Sequence, residues 1–377
     1  MHTTGLAAES IEGLYEGERL VAALDEARAR TLAIYAHLDL AALDVPCIPV
    51  VNPPLWELAH IAWFQEYWCL RGGDPAKRSI LAGADALFNS GTVAHESRWT
   101  LDYPAADALF AYMRDSHDAM REALANSPTG DRYFFKLALL HEDMHGEALL
   151  MTLQTLGLPG PSLAFHPPRS STQPARDVRF EGGIFIQGTS GAEFIFDNER
   201  GAHAVEVAPF SISSKTVTQG EYAAFVDASR HAAPLHWKRD GASWQVRRFE
   251  RWQPLDPAAP MIHVSLRDAM GYCDWARRRL PTESEWEFAA LHDGNGALTD
   301  MIGGVWEWTS SPFAPYPGFT PDPYREYSEP WFHTHHALRG GSFATTPRIA
   351  YARYRNFYLP ERADMFAGIR TCALEAR

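Results

Sequence analysis

The first 157 residues of this chain show the periodicity of long helices, and the residues after them do not. Apolar residues recur at three- and four-residue spacing, with charged residues between them, which is the pattern of amphipathic helices. Gly72 and Gly73 end the second segment, and Gly157 ends the fourth. Four helices of this length predict an up-and-down bundle. The four segments are residues 17–38, 53–71, 104–126 and 131–157.

The composition and the spacing of apolar residues change beyond the fourth segment. Residues 161–177 are rich in proline, serine and arginine, which predicts a linker. From residue 178 to residue 377, glycine, tryptophan and proline are dense, and short helical segments alternate with strands punctuated by glycine. The fold class predicted is therefore α+β. It combines a helical bundle over residues 1–160 with a mixed, loop-rich domain over residues 178–377.

Charge and cysteine content exclude several classes of function. The net charge of -13 argues against nucleic acid or an anionic membrane as the main partner. The four cysteines form no CxxC pair, so neither a disulfide framework nor a cysteine zinc site is predicted. The N-terminus lacks the basic and apolar regions of a signal peptide, and no apolar run reaches membrane-spanning length. These features predict a cytoplasmic protein.

The stretch "HEDMHGE" lies inside the fourth apolar segment. His141 and His145 are four residues apart and therefore share one face of the predicted helix. His60 occupies a comparable stripe on the second segment, so a bundle could bring the three imidazoles together. They would suit zinc, iron, copper or nickel. The alternative is packed core histidines, although burying an imidazole without partners costs about 1–3 kcal/mol.

Acidic residues flank these histidines and could orient the rings through their second nitrogens. The candidates are Glu57, Glu142, Asp143 and Glu147. The stretch also matches HExxH, in which a zinc protease would use Glu142 as a general base. Nothing else in the sequence indicates peptide binding, and a helical bundle is unlike a protease. A non-catalytic, lectin-like binding protein is a further alternative.

Both halves resemble known families. "GGIFIQGTS", "RLPTESEWEFAA", "GGVWEWTSS" and "LRGGSF" resemble blocks of the formylglycine-generating-enzyme-like domain, a variant of the C-type-lectin fold. "LWELAHIAWF" with "HEDMHGE" resembles the DinB-like bundle. Together they resemble the ergothioneine-type sulfoxide synthases. That resemblance implies a non-haem iron enzyme that uses O2 to join a sulfur donor to hercynine, the N-trimethylated histidine.

The resemblance implies roles for individual residues. His60, His141 and His145 correspond to the Fe(II) ligands. Asn356 and Phe357, in "RNFY", correspond to residues that hold the trimethylammonium end of hercynine, a cation suited to aromatic faces. Further substrate contacts are implied or predicted in the same block and beside the metal site: Arg355, Met144, Arg98 and Asn89. For Arg98, the alternative is a solvated loop arginine.

A tyrosine is expected to donate a proton during the reaction. Tyr316 and Tyr358 are the candidates chosen, and Tyr324 and Tyr327 are alternatives. Loop tyrosines are more often structural than catalytic. This site needs loops of the C-terminal half to reach the metal of the bundle.

Two departures from the family pattern bear on the chalcogen donor. Met144 occupies a position where glutamine is frequent, and Tyr358 occupies a slot that can hold an aspartate binding γ-glutamylcysteine. An aromatic residue there suits an uncharged sugar. "NPPLWELAHIAWFQEYW" and "FNSGTVAHESRW" resemble the selenoneine synthase branch, which implies a selenosugar donor. The alternative donors are the thiols cysteine and γ-glutamylcysteine. The chain lacks the cysteine pair that formylglycine-generating enzymes use.

Overall fold

The computed structural model describes residues 16–128, 132–163, 170–191 and 194–374. The described residues fall into two compact units, 16–163 and 170–374. The first is helical and the second contains the sheets, which confirms the α+β fold class. The predicted boundaries at residues 160 and 178 stay predictions, and residues 164–169 of the predicted linker lie outside the described part. The relation to the C-type-lectin fold also stays a prediction.

Four long helices form the N-terminal unit, as the periodicity predicted. Helix α1 packs against α5, and α2 packs against α4 and α5. A short helix, α3, lies in the connection between α2 and α4. Among the described residues, no helix combines the length and the apolar character needed to cross a bilayer. The helices are α1 Glu18–Tyr35, α2 Pro54–Gln65, α3 Ala84–Phe88, α4 Ala106–Asn126 and α5 Tyr133–Leu156.

Local chemistry explains where α2 and α5 begin and end. Pro53 and Pro54 open α2, where a missing N–H removes no helical hydrogen bond. The helix continues as one π-helical turn, Glu66–Leu70, and π-turns frequently occur at functional sites. Helix α5 stops at Gly157, whose φ of 69° is left-handed and favours glycine.

The connection between α2 and α4 is ordered by hydrogen bonds to the bundle. Buried Glu66 accepts from the Tyr112 hydroxyl at 2.5 Å and from the backbone N–H of Ile80 at 3.0 Å. Asp85 accepts from Trp63 Nε1 at 2.7 Å and pairs with Arg71 at 2.7 Å. These contacts fix α3 beside α2, which carries His60.

Within the described residues, four small sheets and three α-helices form the C-terminal unit. The strand orders are β1-β4-β13-β8, β11-β10-β9-β12, β2-β3 and β5-β6-β7, and β12 pairs with β9 in parallel. The helices are α6 Gln219–Ser229, α7 Leu266–Ala276 and α8 Glu283–His292. The strands are β1 Asp177–Phe180, β2 Gly183–Gln187, β3 His203–Val207, β4 Phe210–Ser213, β5 Trp237–Asp240, β6 Ser243–Arg248, β7 Arg251–Pro254, β8 Arg278–Arg279, β9 Trp306–Pro312, β10 His336–Arg339, β11 Asn356–Tyr358, β12 Ala367–Gly368 and β13 Cys372–Ala373.

Each of these three helices begins with a capping box. In α6, the Thr218 side chain accepts from the Glu221 N–H, and the Glu221 side chain accepts from the Thr218 N–H. Ser265 opens α7 and Thr282 opens α8 in the same way. This reciprocal pairing satisfies backbone donors that a helix start otherwise leaves open.

The glycine-punctuated segment of residues 178–190 divides between two sheets. Strand β1 pairs with β4, whereas β2 pairs with β3. Gly182 lies at the turn with φ of 69°, and a Cβ there would lie 2.1 Å from the Val207 carbonyl oxygen. Glycine is therefore required at this turn, although it does not close a hairpin.

Buried tryptophans pack and donate hydrogen bonds within the C-terminal core. Trp286 Nε1 donates to Glu307 Oε2 at 2.6 Å, and Trp308 Nε1 donates to the Val264 carbonyl at 2.8 Å. Glu307 also pairs with Arg370 at 2.8 Å, and both side chains are fully buried. These residues have a structural role because their polar atoms are bound within the core.

Candidate metal site and predicted substrate contacts

Three histidines converge in the helical bundle. His60 on α2 meets His141 and His145 on α5, and each offers one ligand atom within 4.8 Å of the other two. The ring centroids lie 4.5 to 5.2 Å apart. His60 and His141 are buried and His145 is half-buried. The structure therefore brings together the trio that the sequence pattern predicted.

Hydrogen bonds orient two of the rings. His60 Nδ1 donates to the Phe88 carbonyl oxygen at 2.8 Å. His145 Nδ1 lies 2.8 Å from Glu57 Oε1, a carboxylate acceptor whose residue is 2% exposed. In both rings, these contacts leave Nε2 as the ligand atom. The carbonyl and carboxylate partners are those that commonly orient metal-binding imidazoles.

Burial sets the charge of the site. It lowers the pKa of His60 well below the ordinary value, and the neighbouring His145 lowers it further. Burial likewise lowers the pKa of His141, with further lowering from His145 and His60. His60 and His141 are therefore neutral at physiological pH, which is the form that binds metals.

The arrangement fits a transition-metal ion such as Fe(II). It supplies three imidazole donors from two helices, and imidazole nitrogen suits first-row metals including iron. Phe64 stacks on His141 at 3.5 Å between ring centroids, and Trp56 stacks on His60 at 5.3 Å. Rings packed in this way limit rotation of the ligands before any ion binds.

Glu142 does not orient a histidine ring. It is fully buried, pairs with Arg28 at 2.8 Å and accepts from Gln65 Nε2 at 2.6 Å. Arg28 also donates to the Met113 carbonyl at 2.7 Å. The prediction that Glu142 orients an imidazole is therefore wrong, and these bonds argue against Glu142 as the base of a zinc protease.

The other two acidic candidates lie beside a different arginine. Asp143 and Glu147 are buried, and their charges raise the pKa of Arg30 against the larger lowering by burial. Glu57 is thus the one of the four carboxylates whose contact with a ligand histidine is defined among the described residues.

The predicted substrate contacts of the N-terminal unit lie near the histidines in sequence or in space. Met144 is half-buried on α5, next to His145. Asn89 follows α3, and its Oδ1 accepts from the Gly91 N–H at 2.9 Å. Arg98 Cζ lies 4.0 Å from the centroid of the Trp56 ring. Their roles in substrate binding stay predictions.

Strand β11 carries two predicted substrate contacts, Asn356 and Phe357, and the candidate proton donor Tyr358. Asn356 Oδ1 accepts from the Phe357 N–H at 2.8 Å. The Phe357 ring stacks on Phe313 with centroids 4.1 Å apart. Arg362 Cζ lies 4.8 Å from the centroid of the Tyr358 ring. The three predicted residues are half-buried.

Arg355 is bound within the C-terminal core. Its guanidinium is fully buried and binds both carboxylate oxygens of Glu283, at 2.7 and 3.0 Å. It also donates to the carbonyl oxygens of Asn198 and Ala314, at 2.6 and 2.9 Å. These bonds give Arg355 a structural role, and its substrate contact stays a prediction.

The candidate tyrosines differ in environment. The Tyr316 ring packs 3.9 Å from Arg355 Cζ, and its buried hydroxyl has no hydrogen-bond partner among the described residues. Burial raises the pKa of Tyr316, Tyr324 and Tyr327. The Tyr327 hydroxyl lies 3.4 Å from that of Tyr354. The choice of Tyr316 and Tyr358 as proton donors stays a prediction.

Sequence reasoning missed several partners of the site. The Phe88 carbonyl gives no side-chain signal. Arg28 does give one, because it lies on the buried face of α1 with Leu24 and Thr31, where a charge needs a partner. Asn52, which accepts from Arg98 Nη1 at 2.6 Å, precedes α2 in a segment without periodicity.

Comparison with known proteins agrees with the two-unit architecture. Residues 19–150 match the DinB superfamily, and residues 164–297 and 291–375 match the sulfatase-modifying factor enzyme 1-like domain. Hercynine oxygenase of Mycobacterium tuberculosis is 33% identical over 94% of this chain and 98% of its own length. The hercynine oxygenase of Mycolicibacterium smegmatis is 32% identical over the same shares. Ergothioneine biosynthesis protein 1 of Schizosaccharomyces pombe is 28% identical over 44% of this chain and 26% of its own length.

Proposed function

Because the chain belongs to the ergothioneine-type sulfoxide synthase family, we propose that it forms a carbon–chalcogen bond on hercynine in an O2-dependent reaction. The proposed donor is a selenosugar, and the proposed product is a selenoxide that leads to selenoneine. The observation that carries the proposal is the group of three imidazoles in the bundle, two of them neutral through burial.

The proposed ligands of Fe(II) are His60, His141 and His145. When bound there, ferrous iron would supply O2 activation and coordination positions for the hercynine imidazole and the chalcogen. The chain's own part begins with orientation. Glu57 and the Phe88 carbonyl fix two of the ligand rings, so the site is preorganised.

The overall reaction balances without another oxidant or reductant. The imidazole ring loses the hydrogen of one C–H bond, and the donor loses the hydrogen of its Se–H bond. The new C–Se bond joins the two molecules. One oxygen atom of O2 enters the selenoxide, and the other leaves as water with the two hydrogens.

Asn356 and Phe357 are proposed to hold the trimethylammonium end of hercynine. A quaternary ammonium has no N–H to donate, so an aromatic face and an amide dipole suit it better than a hydrogen-bond acceptor alone. The proposed proton donor is Tyr316 or Tyr358. Burial raises the pKa of Tyr316, so its hydroxyl keeps its proton at neutral pH until an acceptor forms.

The proposal for the donor rests on Tyr358. Charged peptide donors are best held by paired charged contacts. Tyr358 offers an aromatic ring with Arg362 4.8 Å from its centroid. That surface suits the hydroxyls and C–H groups of a sugar. γ-Glutamylcysteine and cysteine are the alternative donors.

One assay separates these outcomes. The purified protein is incubated with Fe(II), O2 and hercynine, and selenosugar, thiosugar, cysteine and γ-glutamylcysteine are offered separately. Mass spectrometry then detects any conjugate. We expect the wild-type protein to form a conjugate of hercynine with the selenosugar, and we expect His141→Ala to form none. Conversion with γ-glutamylcysteine alone would overturn the proposed donor, and no conversion with any donor would overturn the proposed function.

A further inference from the structure

Arg98 starts a chain of hydrogen bonds that ends on a ligand histidine. Its Nη1 donates to Asn52 Oδ1 at 2.6 Å. Asn52 Nδ2 donates to Glu57 Oε2 at 3.4 Å, and Glu57 Oε1 accepts from His145 Nδ1 at 2.8 Å. The position of the Arg98 guanidinium is therefore linked to the orientation of the His145 ring.

A second route leads from Arg98 to another ligand histidine. The guanidinium carbon lies 4.0 Å from the centroid of the Trp56 ring. Trp56 in turn stacks on His60, with 5.3 Å between centroids and 2° between ring planes. The Trp56 ring is also fixed by donation from Nε1 to the Leu87 carbonyl at 2.7 Å.

We propose that Arg98 is a positioning residue of the metal site, which holds His145 through Asn52 and Glu57 and holds His60 through Trp56. The inference rests on the proposed function only in taking the three histidines as metal ligands. It gives Arg98 a role that needs no contact with either substrate, unlike the donor contact predicted from the sequence.

The positioning role and simple electrostatics predict opposite changes in metal affinity when the Arg98 guanidinium is removed. Arg98 carries a positive charge close to the site, because its guanidinium lies over the Trp56 ring, which in turn stacks on His60. A cation near the histidines repels a metal ion, so removing it should strengthen metal binding. Loss of a group bonded directly to a ligand histidine weakens metal binding by about 10–100-fold, so loss of Arg98, which acts through Asn52 and Glu57, should weaken metal binding by less.

Metal titration of the whole chain shows directly whether metal affinity falls or rises. The metal-free protein is titrated with Co(II), whose visible absorption reports the ligand set, without either substrate. The variants are Arg98→Met, Asn52→Ala and the double variant. Arg114→Met is the matched control, since the Arg114 side chain is 64% exposed and pairs with Asp115 on α4.

We expect Arg98→Met to lower Co(II) affinity by up to about tenfold and to alter the absorption bands. Asn52→Ala interrupts one of the two routes, so its loss should be smaller. The double variant should match Arg98→Met, because both changes act through one chain of contacts. Arg114→Met should bind Co(II) as the wild type does.

Affinity that is unchanged or higher in folded Arg98→Met would overturn the positioning role. If Arg98→Met does not fold, Arg98→Lys decides the question, because it keeps the charge and removes the planar guanidinium from Trp56 and Asn52, and wild-type affinity in that variant overturns the role. Wild-type protein that takes up no Co(II) would instead reject the metal site itself. Normal Co(II) uptake without turnover of any donor would reject the proposed function and leave the role of Arg98 standing.

Discussion

The buried pair of Arg28 and Glu142 makes a strong prediction about the stability of the bundle. Arg28 is 6% exposed and Glu142 is fully buried. Arg28→Met keeps the length of the side chain and removes its charge, which leaves the carboxylate with the Gln65 amide at 2.6 Å. Breaking a buried pair by removing one partner costs about 3–5 kcal/mol. For a unit of this size, that loss lowers the Tm by about 6–20 °C.

Thermal unfolding followed by circular dichroism tests this expectation. The double variant Arg28→Met with Glu142→Gln should recover part of the loss, because no unpaired charge then remains buried. Arg114→Met breaks an exposed pair and should change stability by less than about 1 kcal/mol. An Arg28→Met variant with the Tm of the wild type would contradict a stabilising role for this pair, as would a double variant whose loss of stability equals the sum of the two single losses.

Further predictions concern the C-terminal unit. Burial raises the pKa of Glu199 to about 8, so the folded state binds a proton that the unfolded state releases near pH 4.5. The contribution of this proton to the free energy of unfolding is therefore full below pH 4.5 and declines up to about pH 8. Urea unfolding across this range should show a shallower decline of stability with pH in Glu199→Gln than in the wild type. Equal slopes of stability against pH in the two proteins would contradict the assignment. Gly182→Ala should lower the Tm by several degrees, because its Cβ would meet the Val207 carbonyl, and a wild-type Tm would contradict this. Trp308→Phe leaves the buried Val264 carbonyl without its donor and should cost about 1–3 kcal/mol in urea unfolding, whereas a loss within error would contradict the role of that bond.

The sequence predicted those parts of the molecule that local pattern determines. Helix α5 follows from its periodicity and from Gly157. Helical spacing places His141 and His145 on one face of α5. His60 was predicted to join them because it is a polar residue on the apolar face of α2. Each of these features is contained within a few residues.

Contacts between distant segments could not be predicted in the same way. Arg28 and Glu142 are 114 residues apart in the chain, and neither position specifies the other. The Phe88 carbonyl binds His60 through backbone, which no residue type reveals. The sequence predicted strands punctuated by glycine in the C-terminal half, such as the two strands on either side of Gly182. The partner of each strand depends on packing within the whole unit, so local sequence did not predict it.

The proposed chemistry requires three imidazoles of the bundle to bind one Fe(II) ion. Anaerobic titration of the metal-free protein with Fe(II), followed by calorimetry, measures this binding. We expect one ion per chain in the wild type and no binding at this site in His60→Ala, His141→Ala or His145→Ala. His37→Ala, a histidine outside the trio that contacts the Pro159 carbonyl, should bind as the wild type does. Fe(II) binding at wild-type affinity in folded His141→Ala would contradict the claim.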